Sequence, residues 1–171
     1  MFGLFKRRVT ANDLAVTLAR LAMDTTNIEK AVVDLHAGGE FSMDAVMDES
    51  LFLQLFAVDY AAAVTLGVKS KEKNSLLDAY YGHILQMTNK MDAMEEDAGK
   101  GFLDKFKHRL LIYTKAVKIQ HRNGPSWNVG KEFARLCNAE KNFDIIMFGN
   151  FLFSASVKLA TETIMSCHIV M

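Results

Sequence analysis

The stretch Ser50-Leu-Phe-Leu-Gln-Leu-Phe-Ala-Val-Asp-Tyr-Ala-Ala-Ala-Val-Thr-Leu-Gly67 decides the fold. Between Leu51 and Leu66 only Gln54, Asp59 and Thr65 are clearly polar. At about 100° per residue, apolar groups of a helix here point to every side: Phe52 and Leu55 one way, Leu53 and Val64 the other. A helix that is apolar all round must be covered by its neighbours, because a surface helix shows one polar face. It is expected to be the central helix of a bundle, over about 43–66, with Asp59 the one charge between Leu51 and Leu66.

Working outward, Ile145 to Val157 has the same character, interrupted by Asn150, and predicts a second buried helix over about 142–167. Proline occurs once, at Pro125, so the strongest helix breaker is absent from long stretches. Stop and start signals divide the rest. Thr10 with Asp13 opens a first helix, and Thr26 with Glu29 reads as a capping box for a second, ended by Gly38-Gly39. Ser42 opens the central helix, Gly67 ends it, and Ser70 caps the fourth. Gly99 and Gly101 separate the fourth from a fifth over about 102–120. Asn123-Gly124-Pro125 is a turn, after which Ser126 is expected to cap a sixth. No strand alternation, repeat or linker interrupts this series. The expectation is an all-α, single-domain bundle of about seven helices spanning 1–171, with helices 3 and 7 buried at the centre and 1–9 a fraying terminus.

Leu77, Tyr80, Ile84, Met87, Met91, Met94 and Ala98 recur on the fourth helix at 3-4 spacing, a coiled-coil-like seam. Its lower part is methionine, which suits adaptable interfaces, so Met87, Met91 and Met94 are the expected dimer contact.

Composition narrows the function classes. The 20 basic and 20 acidic side chains cancel, so no global field draws the chain to nucleic acid or acidic lipid. No run reaches the roughly 18 consecutive apolar residues of a membrane span. Met1-Phe-Gly-Leu-Phe-Lys-Arg-Arg8 has the wrong order for a signal peptide and would touch a membrane only weakly. Cys137 and Cys167 lack metal-type spacing, which suggests reduced thiols in a cytoplasmic protein. His36, His83, His108, His121 and His168 form no di-iron, zinc or haem-attachment pattern, so no metal site is expected. No glycine-rich phosphate loop follows a strand, and no nucleophile motif is present.

Asp59 shares its side of the helix with Phe52, Leu55 and Phe56, where a carboxylate is costly unless paired. Folding the chain back about residues 68 and 69 brings Asp59 level with Asp78, and Gln54 level with His83. Asp59, Tyr60, Tyr80 and His83 are therefore the candidate ligand-binding set, for a haem or lipid-like molecule between helices 3, 4 and 7. The simpler reading, which we favour, is that Asp59 bonds a tyrosine hydroxyl, a histidine or a base and fixes helix register.

Charge is segregated along the chain. Residues 24–59 hold eight acids and one base; residues 100–122 hold seven bases and one acid. Lys107, Lys115, Lys118 and Arg122 fall within about 80° of a helical wheel, a stripe that could meet an anionic partner. A charge run is more often a solvated face, and without interleaved aromatics nucleic acid is disfavoured. The reading with most support is a non-enzymatic helical bundle that binds itself, as a homodimer, or another protein. The alternative is a bundle holding a small apolar ligand or cofactor.

Overall fold

The computed structural model describes residues 6–36, 41–91 and 98–170. Its elements in chain order are β1 (Arg7–Thr10), α1 (Ala11–Met23), α2 (Thr26–His36), α3 (Met43–Leu66), α4 (Lys71–Met91), α5 (Ala98–Lys118), α6 (Pro125–Leu136), α7 (Phe143–Met165) and β2 (Cys167–Val170). The fold is all-α apart from the β1–β2 pair.

α3 touches every other helix. That explains its sequence, because it feeds two cores at once. Phe52, Leu55, Val58, Ala61 and Ala62 enter one, with Leu14 and Leu18 of α1, Tyr80 and Ile84 of α4, and Ala160 and Ile164 of α7. Val46, Leu53, Phe56 and Ala57 enter the other, with Val32 of α2, Tyr113 of α5, Phe133 of α6 and Phe153 of α7. Burying each of these larger side chains contributes about 1.5–3 kcal/mol. Val64, expected to face the interior, is exposed, while Leu66 of the same turn packs against the core.

Helix starts follow side-chain caps closely. Thr10, Ser42 and Asn142 accept from the backbone N–H groups of Asp13, Ala45 and Asp144, and the Ser70 hydroxyl accepts from Lys73. Two caps differ from expectation. α2 starts behind Asp24 and Thr25, not Thr26: Asp24 accepts from the Thr26 N–H, and the Thr25 hydroxyl bonds Glu29. α6 has Pro125 in its first turn and Gly124, at φ 81°, as its cap, so Ser126 lies inside it. α5 begins at Ala98, so Gly99 and Gly101 belong to its first turn. The Gly38-Gly39 stop, Met94 and the tip of the N-terminus lie outside the described residues, as does the side chain of Met91.

The chain ends depart most from expectation. Arg7–Thr10 pairs in parallel with Cys167–Val170, Arg7 beside Cys167 and Thr10 beside Val170. β-Branched Val9, Thr10, Ile169 and Val170 favour extended backbone, but four-residue segments are too short to show alternation.

α7 was expected at the centre. It packs extensively on α3 and α6, yet its outer face is open. Averaged over their most apolar 18 residues, α3 and α7 are both apolar and long enough to cross a membrane, which a count of unbroken apolar residues does not reveal. Their burial separates them: 61% of the most apolar stretch of α3 is buried, against 22% of that of α7. An all-round apolar pattern says that a helix needs cover without saying what supplies it.

Candidate functional site

Asp59 is half-buried on α3 and accepts a short hydrogen bond from the Tyr81 hydroxyl of α4. Burial, with the Asp59 carboxylate beside it, pushes the Tyr81 phenol well above the ordinary tyrosine range. Asp78 is exposed and adds a smaller push to the same Tyr81 phenol. Of the other expected members, Tyr80 stays close to the Asp59–Tyr81 pair, its ring 5.6 Å from that of Tyr81 and its phenol raised by burial and then by Asp59, while Tyr60 and His83 make separate contacts. Tyr80 is fully buried and donates to the Leu55 carbonyl at 3.4 Å; Tyr60 packs against Phe56 and Phe153; His83 bonds Asn12 of α1 at 2.9 Å. Among the described residues α4 packs mainly on α1 and makes little contact with α7, though side chains of α3, α4 and α7 share one core. Among the described residues no cluster of three or more His, Cys, Asp or Glu could hold a metal.

A second buried carboxylate escaped the sequence reading. Glu49, one turn before Phe52, is 2% exposed. Its Oε2 accepts from Arg109 Nε at 2.7 Å, and its Oε1 accepts from the Tyr113 hydroxyl at 2.7 Å. Burial, then Glu49, raises the Tyr113 phenol. The Cys137 thiol, which donates to the Ala45 carbonyl at 3.7 Å, is pushed up to about 12 by burial and by Glu49. A thiol held protonated is a poor nucleophile, and a carboxylate with both oxygens engaged is a poor base. The cluster clamps α5 onto α3. The signal was present, since Val46, Phe52, Leu53 and Phe56 surround Glu49 at helical spacing.

The same clamp accounts for part of the charge segregation. Asp48 and Glu49 of the acidic segment meet Lys105 and Arg109 of the basic one. Lys107, Lys115 and Lys118 remain exposed on α5 and Arg122 follows it; Lys107 is 3.7 Å from Asp104 of the same helix. Beside Arg122, His121 stacks on Trp127, and Trp127 meets Phe143.

Phe143 begins an open apolar feature. At intervals of four, Phe143, Met147, Phe151, Ala155 and Leu159 wind round the outer side of α7, with Phe143 61% and Phe151 64% exposed and Met147 half-buried. On one flank lies Trp127 of α6, with the Lys131 ammonium over its ring at 5.6 Å. On the other, Met147, Phe148 and Phe151 form a shallow groove of about 380 Å³ with Ala31 and Leu35 of α2. Met87, by contrast, is half-buried against the core. The α6 side of α7 is fixed by two glycines. A Cβ on Gly130 would stand 2.4 Å from the Ile146 carbonyl oxygen, and one on Gly149 would stand 2.7 Å from the Phe133 ring.

Inside the bundle, Gln54 Oε1 is buried without a hydrogen-bond partner and lines a cavity of about 30 Å³ with Leu18, Ser156 and Ala160. That volume accepts a water molecule but not a cofactor. No protein-family model matches the chain, and neither does any curated protein or solved structure.

Proposed function

We propose that the chain is a non-enzymatic helical protein that works by self-association through the outer face of α7. One observation carries this reading: Phe143 and Phe151 stand open to solvent, with half-buried Met147 between them, on a helix whose opposite side is locked into the core. Contiguous exposed aromatic and methionine surface of this kind marks an interaction site. A two-fold dimer covers such a face most simply, because one surface serves both copies. The free thiols of Cys137 and Cys167 support a reducing, cytoplasmic setting. The ionisable clusters support a structural role, since the Asp59 and Glu49 carboxylates are bonded to partners inside the fold.

Sedimentation velocity over about a tenfold range above micromolar concentration tests the reading. A concentration-dependent dimer that Phe151→Glu abolishes, with helicity and unfolding midpoint unchanged, is expected. A 19.2 kDa monomer throughout would remove it.

A further inference from the structure

Two copies that meet through α7 can lie parallel or antiparallel, and the charges on the helix separate the two. Phe143, Met147, Phe151, Ala155 and Leu159 follow at intervals of four and wind about 40° per step, so that Phe151 lies at the middle of the open side and Phe143 and Leu159 at its two edges. Asp144 stands seven residues before Phe151 and Lys158 seven after it, and both are exposed. A heptad falls short of two full turns by about 20°, so the two charges flank the direction of Phe151 on opposite sides.

Turning one copy through a half-rotation about an axis at Phe151 sets Asp144 level with Lys158 of the second copy, and Lys158 level with its Asp144. The same operation sets Phe151 on Phe151, while Phe143 and Leu159, each about 80° round the helix from Phe151, come level on opposite edges of the pairing. Glu162 falls level with the Glu140-Lys141 turn, beyond the start of α7. A parallel pairing would instead place Asp144 level with Asp144 and Lys158 level with Lys158, like charge against like, which is penalised at interfaces.

We infer that α7 pairs with α7 of a second copy in antiparallel register centred on Phe151, the register being set by two symmetric Asp144–Lys158 ion pairs. This rests on self-association through α7. In the single chain Lys158 lies 4.0 Å from Glu162 in an exposed contact, so it is free to turn toward a closer carboxylate.

Charge exchange in the full chain tests it. Asp144→Lys alone sets lysine against lysine twice, and Lys158→Asp alone sets aspartate against aspartate twice. Each is expected to weaken the dimer about tenfold or more at low salt. An equimolar mixture of the two variants should recover wild-type affinity to within about threefold as a heterodimer identified by native mass. The Asp144→Lys/Lys158→Asp double variant should recover as a homodimer. If wild type dimerises and Phe151→Glu abolishes it, but the mixture binds no better than either variant alone, the antiparallel register is overturned and self-association stands. A wild-type chain that never dimerises defeats the reading beneath it. Flotation of a monomeric chain with neutral phosphatidylcholine vesicles overturns the inference in favour of a lipid surface.

Discussion

Arg109 Nε on α5 donates to Glu49 Oε2 on α3 at 2.7 Å, and the two side chains are only 15% and 3% exposed. A carboxylate so placed is tolerable with its partner and costly without it. Arg109→Ala should therefore lower unfolding stability by about 3 kcal/mol, because it strands a buried charge. Replacing both residues, as Glu49→Leu with Arg109→Met, should cost much less than that. Denaturant titration of the single and paired variants checks this. A loss below about 1 kcal/mol for Arg109→Ala would mean that water reaches the carboxylate.

The Asp59–Tyr81 bond joins α3 to α4 nearer the surface. Tyr81→Phe should cost about 1–2 kcal/mol, since a half-buried carboxylate loses a donor but keeps access to water. Asp59→Leu should be milder than Asp59→Ala, because alanine adds a cavity to the lost bond. Equal losses for leucine and alanine would show that packing around Asp59 does not matter.

Glycine substitutions should split by location. Gly130→Ala drives a methyl into the Ile146 carbonyl, and Gly149→Ala drives one into Phe133, so each should cost about 3 kcal/mol or more. Gly82, within α4, has nothing within 4 Å of where a Cβ would sit, and Gly82→Ala should stabilise by about 1 kcal/mol. Thermal unfolding of the three variants reads opposite signs. A neutral Gly130→Ala would mean that α6 and α7 can part.

Alkaline pH should loosen the fold in steps. Cys137 ionises near 9 when unfolded but only at about 12 when folded, because burial and Glu49 oppose the thiolate. Between those values the unfolded chain holds fewer protons than the folded one. The stabilisation is thus complete below about pH 9 and is lost as pH rises toward 12, by up to about 1.4 kcal/mol per pH unit for one group. Tyr80 and Tyr113, raised by burial above the ordinary value of 10.0, add to the loss at higher pH. Cys137→Ala should move the onset up to the tyrosine range. An unchanged onset in urea titrations at stepped pH would exonerate the thiol.

The helices were legible because their signals are local: Ser42, Ser70, Asn142 and Gly67 bound them within a few residues. Asp59 was found because polar groups are rare around it, and a tyrosine partner was anticipated in kind without separating Tyr80 from Tyr81, which makes the bond. A single residue's rotation on α4 separates the two, finer than a fold-back register resolves. Glu49 carried the same local signal but lies just outside the apolar stretch that drew attention. Its partners Arg109 and Tyr113 are fixed only by how α5 lies on α3. The open face of α7 was illegible for a deeper reason, since periodicity counts apolar sides and cannot assign each a neighbour. β1 and β2 needed knowledge of the tertiary fold, because neither strand has a partner nearby in sequence.

The pairing of Arg7–Thr10 with Cys167–Val170 has a mechanical consequence. A pull applied at position 7 and at position 170 draws on opposite ends of two parallel strands, so every rung is loaded in shear at once instead of being peeled singly. Tension entering from either end of the chain meets this clasp before it reaches any helix. The bundle is thereby shielded from force up to the point at which the clasp yields.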